Sequence, residues 1–205
     1  MTLQNRVTPQ GQIIANPARG LFMGNRGGRI HDPASRTLMR RQWASRSWIC
    51  CVTSFKNRQR QVMGPGYTEL FFLDEVTALA AGHRPCFECR RRDALEFAGR
   101  WQRAFGLINP PHADDMDIAL HKERSVSGKL NPVIVDGTSL PDGAMVAAGK
   151  DIYAIKNQNL WLWSPDGYRL QMSKPKAAKG VLITPAAIIE ILRAGYLPVW
   201  HSSVA

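Results

Sequence analysis

The sequence has no apolar stretch near the ~18 residues that a membrane-crossing helix needs. Met1 leads into polar residues and not into the apolar core of an export signal. A membrane partner is therefore not expected, and a soluble, cytoplasmic protein is. Cysteine is scarce, at four residues, and two of these, Cys50 and Cys51, are neighbours. A bond between adjacent cysteines is strained, which argues against a disulfide framework and leaves metal ligation or free thiols. The most uneven shortage is of acid. In the first 62 residues Asp32 is the lone carboxylate, against eleven basic side chains: Arg6, Arg19, Arg26, Arg29, Arg36, Arg40, Arg41, Arg46, Lys56, Arg58 and Arg60. That segment carries +10 of a total formal charge of +11.

What is present is the composition of a folded chain. Hydrophobic residues make up 44% and charged residues 21% of 205 positions, enough for one large domain or two small ones. Ten of the eleven N-terminal cations are arginine, whose planar fork suits bidentate contact with phosphate. Charge so segregated raises a local field. A phosphate-contacting surface is expected, with Arg26, Arg29, Arg40, Arg41, Arg58 and Arg60 among its contacts; a solvated, solubilising face is the competing reading.

Local patterns predict an α+β chain. Residues 1–30, rich in Gly, Asn, Pro and Arg, read as an irregular basic arm. Trp43–Ser54 contains a strand, Val62-Met63 a short second one, and Tyr67–Leu73 a third. Asp74 should cap a helix that Gly82 ends, and Arg92–Phe105 should form another. Asn109-Pro110-Pro111 suggests a boundary between a basic module of residues 1–108 and a β-rich module of residues 109–205. The latter should hold a helix over Asp114–Arg124, a loop over Ser125–Pro132, and strands at Met145–Ala148, Asp151–Ile155, Leu160–Trp163, Tyr168–Met172 and Gly180–Ile183. A last helix would start at Thr184, as N-cap, with Pro185 in its first position, and end at Gly195.

The densest chemistry lies in Gly82-His83-Arg84-Pro85-Cys86-Phe87-Glu88-Cys89-Arg90-Arg91-Arg92. Two thiolates two residues apart can grip one tetrahedral ion from a tight turn. Further ligands must come from elsewhere, with Cys50, Cys51, His31, His83 and His201 as candidates. Cys50 and Cys51 sit on a predicted strand, so their side chains point to opposite faces. One should reach the metal while the other is buried as a small hydrophobe. Arg84, Arg90, Arg91 and Arg92 would then be aimed outward beside the ion. A thioredoxin-like redox pair fits less well, because this motif ends a helix instead of starting one.

The run Glu75-Val76-Thr77-Ala78-Leu79-Ala80-Ala81-Gly82-His83-Arg84-Pro85-Cys86-Phe87-Glu88-Cys89 resembles the zinc-binding domain of Ada-type DNA methylphosphotriester repair proteins. There a helix leads into an R-P-C-x-x-C turn, and two upstream cysteines complete a four-cysteine zinc site. The resemblance covers about residues 48–92 and implies Zn2+ at Cys86, Cys89 and the Cys50-Cys51 region, together with association with DNA. The upstream pair departs from the family's C-x-x-x-C spacing. Neither a P-C-H-R methyltransferase site nor a helix-turn-helix region is evident, so methyl transfer is not carried over. The chain as a whole also resembles a bacterial family that brings no function with it.

Other constellations are weaker. Gly24-Asn25-Arg26-Gly27-Gly28-Arg29-Ile30-His31-Asp32 combines backbone that can approach a phosphate with a possible base. Glu69, alternating with Tyr67 and Phe71, is a candidate buried acid. Trp161 and Trp163 share one strand face and offer either a stacking platform or core. The expected function is a zinc-binding protein of nucleic acid, DNA before RNA. The alternative is a nucleic-acid-processing enzyme using His31, Asp32 or Glu69, and a third class is a zinc-stabilised module for acidic protein partners.

Overall fold

Asp74 starts the element around which the rest is arranged. Its Oδ1 accepts the Thr77 N–H at 2.8 Å, opening helix α1 (Glu75–Ala80). Gly82, at φ +79°, ends it, with the His83 N–H reaching back to the Ala78 carbonyl at 2.9 Å. In the computed structural model, which describes residues 2–125, 132–135, 139–171 and 178–204, all six residues of α1 are buried. A helix covered on every side must serve several neighbours. Ala78 and Ala81 pack on a first sheet, Val76 and Ala80 on a second, and Leu79 on a layer of helices.

The expected α+β class holds: among the described residues there are four helices and two six-stranded sheets. The first sheet runs in the order β2 (Ile13–Ala15), β1 (Gln4–Val7), β5 (Leu70–Phe72), β3 (Phe22–Arg26), β4 (Trp48–Val52), β6 (Arg84–Pro85). Its pairings are antiparallel except β1 with β5 and β4 with β6. Residues 1–30 are thus corrected from an irregular arm to three strands. The turn residues that suggested irregularity lie in part between strands, as at Thr8–Gly11, where Gly11 takes φ +80°. Gly24 lies inside β3 because the chains crowd there: a Cβ would come within 2.1 Å of the Ile49 carbonyl oxygen. Val62-Met63 forms no strand, and Met63 is buried within a turn.

The second sheet is antiparallel throughout, in the order β11 (Gly167–Leu170), β10 (Asn159–Ser164), β9 (Asp151–Lys156), β8 (Met145–Ala148), β12 (Ala178–Leu182), β7 (Pro132–Val135). Side chains alternate along it: Met145, Ala154 and Tyr168 face α1, while Val146, Tyr153, Ile155 and Leu160 face Ile189. Trp161 and Trp163 are core on the α1 side, Trp163 donating its indole N–H to Thr77 Oγ1 at 3.1 Å. Of the loop expected over Ser125–Pro132, Ser125 ends a helix and Pro132 begins β7, and residues 126–131 fall outside the described residues, as does the expected strand end at Met172.

Helices α2 (Arg91–Ala104), α3 (Ala113–Ser125) and α4 (Ala186–Arg193) complete the fold. Thr184 does not cap α4. Pro185 takes the cap position without a side-chain bond, and Thr184 Oγ1 accepts the Met145 N–H at 2.8 Å, tying β8 to the helix entry. The 108/109 boundary falls between α2 and α3, yet one core spans it, with Leu79, Phe97 and Trp101 meeting Met116, Leu120, Ile188 and Leu192.

Candidate metal centre and its basic surroundings

Strand alternation in β4 separates the adjacent cysteines, as expected. Cys50 is fully buried in the core under the first sheet, and its Sγ accepts Arg90 Nη1–H at 3.4 Å. Cys51 faces the other way, toward the turn after β6. The parallel pairing of β4 with β6 brings that turn alongside, and the Cys86 N–H bonds the Cys50 carbonyl at 3.0 Å. The sulfurs of Cys51, Cys86 and Cys89 consequently all lie within 4.8 Å of one another, an arrangement able to hold a metal ion. Cys50 is therefore removed from the expected ligand set and takes the role of the buried small hydrophobe.

Backbone donors aim at the cluster. The Glu88 N–H donates to Cys86 Sγ at 3.4 Å, the Cys89 N–H also favours negative charge on Cys86, and the Val52 N–H does the same for Cys89. The thiols of Cys51 and Cys89 donate to Cys86 and hold it well below the ordinary thiol range. Cys51 is driven strongly upward by those same bonds, to Cys86 first and then Cys89, with burial adding to the shift. Three sulfurs this close, with N–H groups already pointed at them, are a donor set poised for a cation.

The histidines offered as further ligands serve elsewhere. His31 is buried with Nδ1 2.6 Å from Thr68 Oγ1 and Nε2 2.9 Å from the Gly64 carbonyl. His83 lies between Trp48 and Phe72, and His201 Nδ1 pairs with Ser203 Oγ at 2.8 Å. Asp32 is exposed and caps its own turn, accepting the Ala34 and Ser35 N–H groups. Glu69 is buried as anticipated, its Oε2 accepting the Met63 N–H at 2.7 Å. Asp32 and Glu69 are engaged within their own loops, while His31 reaches across to the segment of Gly64 and Thr68.

The arginines divide into two groups. Arg29, Arg40, Arg41, Arg58, Arg60, Arg91 and Arg92 are exposed. Arg58 pairs with Glu88, inside the cysteine turn, at 2.7 Å, and Arg60 lies 4.8 Å over the ring of Tyr67. Arg26, Arg84 and Arg90 are 2%, 3% and 5% exposed, which corrects their expected outward display. Arg84 forms a fork with Asp117, with bonds of 2.9 and 2.7 Å. Arg90 pairs with Glu75 and Asp93, both at 2.8 Å. Asp117 and Glu75 were not legible as partners, because they come from α3 and α1, distant in the chain from the arginines they meet. Lys56, exposed beside Phe55, and Tyr67 are additions near the centre. Comparison with protein-family models, curated proteins and solved structures finds no match for this chain.

Proposed function

We propose that Cys51, Cys86 and Cys89 hold a zinc ion and that the exposed arginines around them grip the phosphate backbone of nucleic acid, DNA foremost. Tetrahedral Zn–S bonds of 2.3 Å place sulfurs about 3.8 Å apart, which the observed spacing accommodates. Zinc would supply a covalent-strength tie between β4 and the cysteine turn, and three protein ligands leave a fourth position for water or an incoming group. The chain's own residues do the rest. The turn presents Glu88 to Arg58, so the loop carrying Lys56, Arg58 and Arg60 is anchored at the metal centre. Arg91 and Arg92 extend from the same turn at the start of α2.

The observation that carries this reading is the three-sulfur cluster with exposed guanidinium groups on the loop and helix that flank it, in a chain whose first 62 residues carry +10. Its test is fluorescence anisotropy of a labelled duplex, with metal content measured alongside. Binding should weaken with a slope in log salt of roughly 0.9 per phosphate contacted, and the double variant Arg58→Gln, Arg60→Gln should flatten it by about 1.8. Cys86→Ser should lose zinc and binding together. A flat salt response, or undiminished binding by the metal-free protein, overturns the proposal.

A further inference from the structure

Four buried polar side-chain atoms lack a hydrogen-bond partner among the described residues, and three of them crowd one place: His83 Nδ1, His121 Nδ1 and Arg124 Nη2. The place is built on two indoles. The guanidinium of Arg26 lies 4.0 Å over the Trp48 ring and that of Arg124 lies 4.4 Å over it. His83 packs 4.9 Å from the same ring. Trp43 sits 6.3 Å from Trp48 and meets His121 edge-on at 5.5 Å.

Neither guanidinium has a carboxylate at ion-pair distance among the described residues, unlike the buried Arg84 and Arg90. Arg26 donates to the carbonyls of Gly11 and Gln42 and to His83. Arg124 donates through Nε to the Gly82 carbonyl and through Nη1 to the Arg46 carbonyl, both at 2.9 Å, which leaves Nη2 without an acceptor. Gly82 makes room for this, since a Cβ there would come 3.0 Å from the Arg124 side chain. Burial depresses both arginines, Arg26 to about 9 with the charge of Arg124 adding to the shift, and Arg124 to about 10 despite the attraction of the more distant Asp117 and Glu123. What is missing is an anionic acceptor.

The surroundings say what kind. Trp43 is 44% exposed, and Arg40, Arg41 and Arg46 are exposed beside it in sequence, with no carboxylate anywhere in residues 33–50. A half-exposed indole packed on the same Trp48 ring as an unfilled guanidinium suits a phosphate carried next to a flat base. We propose that Arg124, His121 and Arg46 receive the phosphate of a nucleotide unit while Trp43 stacks its base, forming a second site separate from the sulfur cluster. This deepens the nucleic-acid reading above and rests on it for the ligand's source: because stacking requires an unpaired base, the polymer that fits is single-stranded.

The test titrates the zinc-loaded protein at low salt with inorganic phosphate, deoxyadenosine 5′-monophosphate, a single-stranded thymidine octamer and a duplex, read by calorimetry and tryptophan emission. The mononucleotide should quench emission and bind at least fivefold tighter than phosphate, and the octamer should bind more tightly still. Trp43→Ala should weaken the mononucleotide roughly tenfold while leaving phosphate unchanged, as expected for one lost stacking contact. Arg124→Gln also frees two backbone carbonyls, so the informative partner is the double variant Arg46→Gln, His121→Gln, which should weaken phosphate and mononucleotide alike. Absence of phosphate and mononucleotide binding means the orphaned atoms hold water only and overturns the site, as does a Trp43→Ala variant that binds the mononucleotide normally. Duplex binding with a steep salt slope in that case leaves the metal-centre reading standing. Mononucleotide binding without octamer or duplex binding supports the site with free nucleotides as its source and removes the polymer reading.

Discussion

His83 is enclosed by aromatic rings, 4.9 Å from Trp48 and 4.7 Å from Phe72, and has no solvent exposure. Burial first, then the charges of Arg26 and Arg124, keep its imidazole neutral well below the ordinary histidine range. The unfolded chain takes up a proton near pH 6.5 while the folded chain does not, so His83 withdraws stability as pH falls. At most about 1.4 kcal/mol is lost per pH unit. Urea unfolding at pH 6.5 and 5.5 should show this loss in the native protein and not in His83→Gln. At this scale the sequence was partly legible. The opposed faces of Cys50 and Cys51 followed from the two-residue period of a strand, a local rule. That Arg84 and Arg90 are interior did not, because a guanidinium beside two cysteines reads the same whether Asp117, 33 residues away, turns toward it or not.

The helix ends were the most legible elements, since their chemistry is contained in a few consecutive residues. Gly82 and Gly195 both take positive φ, and the following residue's N–H bonds back across the last turn in each, His83 to Ala78 and Tyr196 to Ile191. The starts differ. Asp74 caps α1 and also accepts the Tyr168 hydroxyl at 3.0 Å and the His201 N–H at 3.1 Å, so one carboxylate joins a helix, the second sheet and the C-terminal segment. Asp74→Ala should therefore cost about 3–5 kcal/mol, more than a simple cap, because three further donors, the hydroxyls of Thr77 and Tyr168 and the His201 N–H, lose their acceptor. Thr184→Ala should cost about 1–2 kcal/mol through the Met145 N–H alone. Calorimetric unfolding of the two variants tests that order. The strands of residues 1–30 were hidden because their glycines report a neighbour's closeness as readily as a turn, and sequence alone does not show the neighbour.

Across the whole molecule, the Arg84–Asp117 pair ties β6, next to the cysteines, to α3, beyond the proline-marked connection. Both side chains are only 4% exposed, so Asp117→Ala abandons a buried cation and should cost about 3–5 kcal/mol, measurable as a lowered urea midpoint, whereas Asp93→Ala should cost far less. The proline break lies in the connection between α2 and α3, but it could not reveal that the helices on either side share one interior, a relation set by residues as distant in the chain as Leu79 and Leu192. The six residues of α1 touch every layer and run straight into the sulfur-bearing turn. They act as a keystone: with that short segment dislodged, neither sheet retains a complete inner wall, so thiol reactivity, indole emission and backbone signals should all melt in a single step.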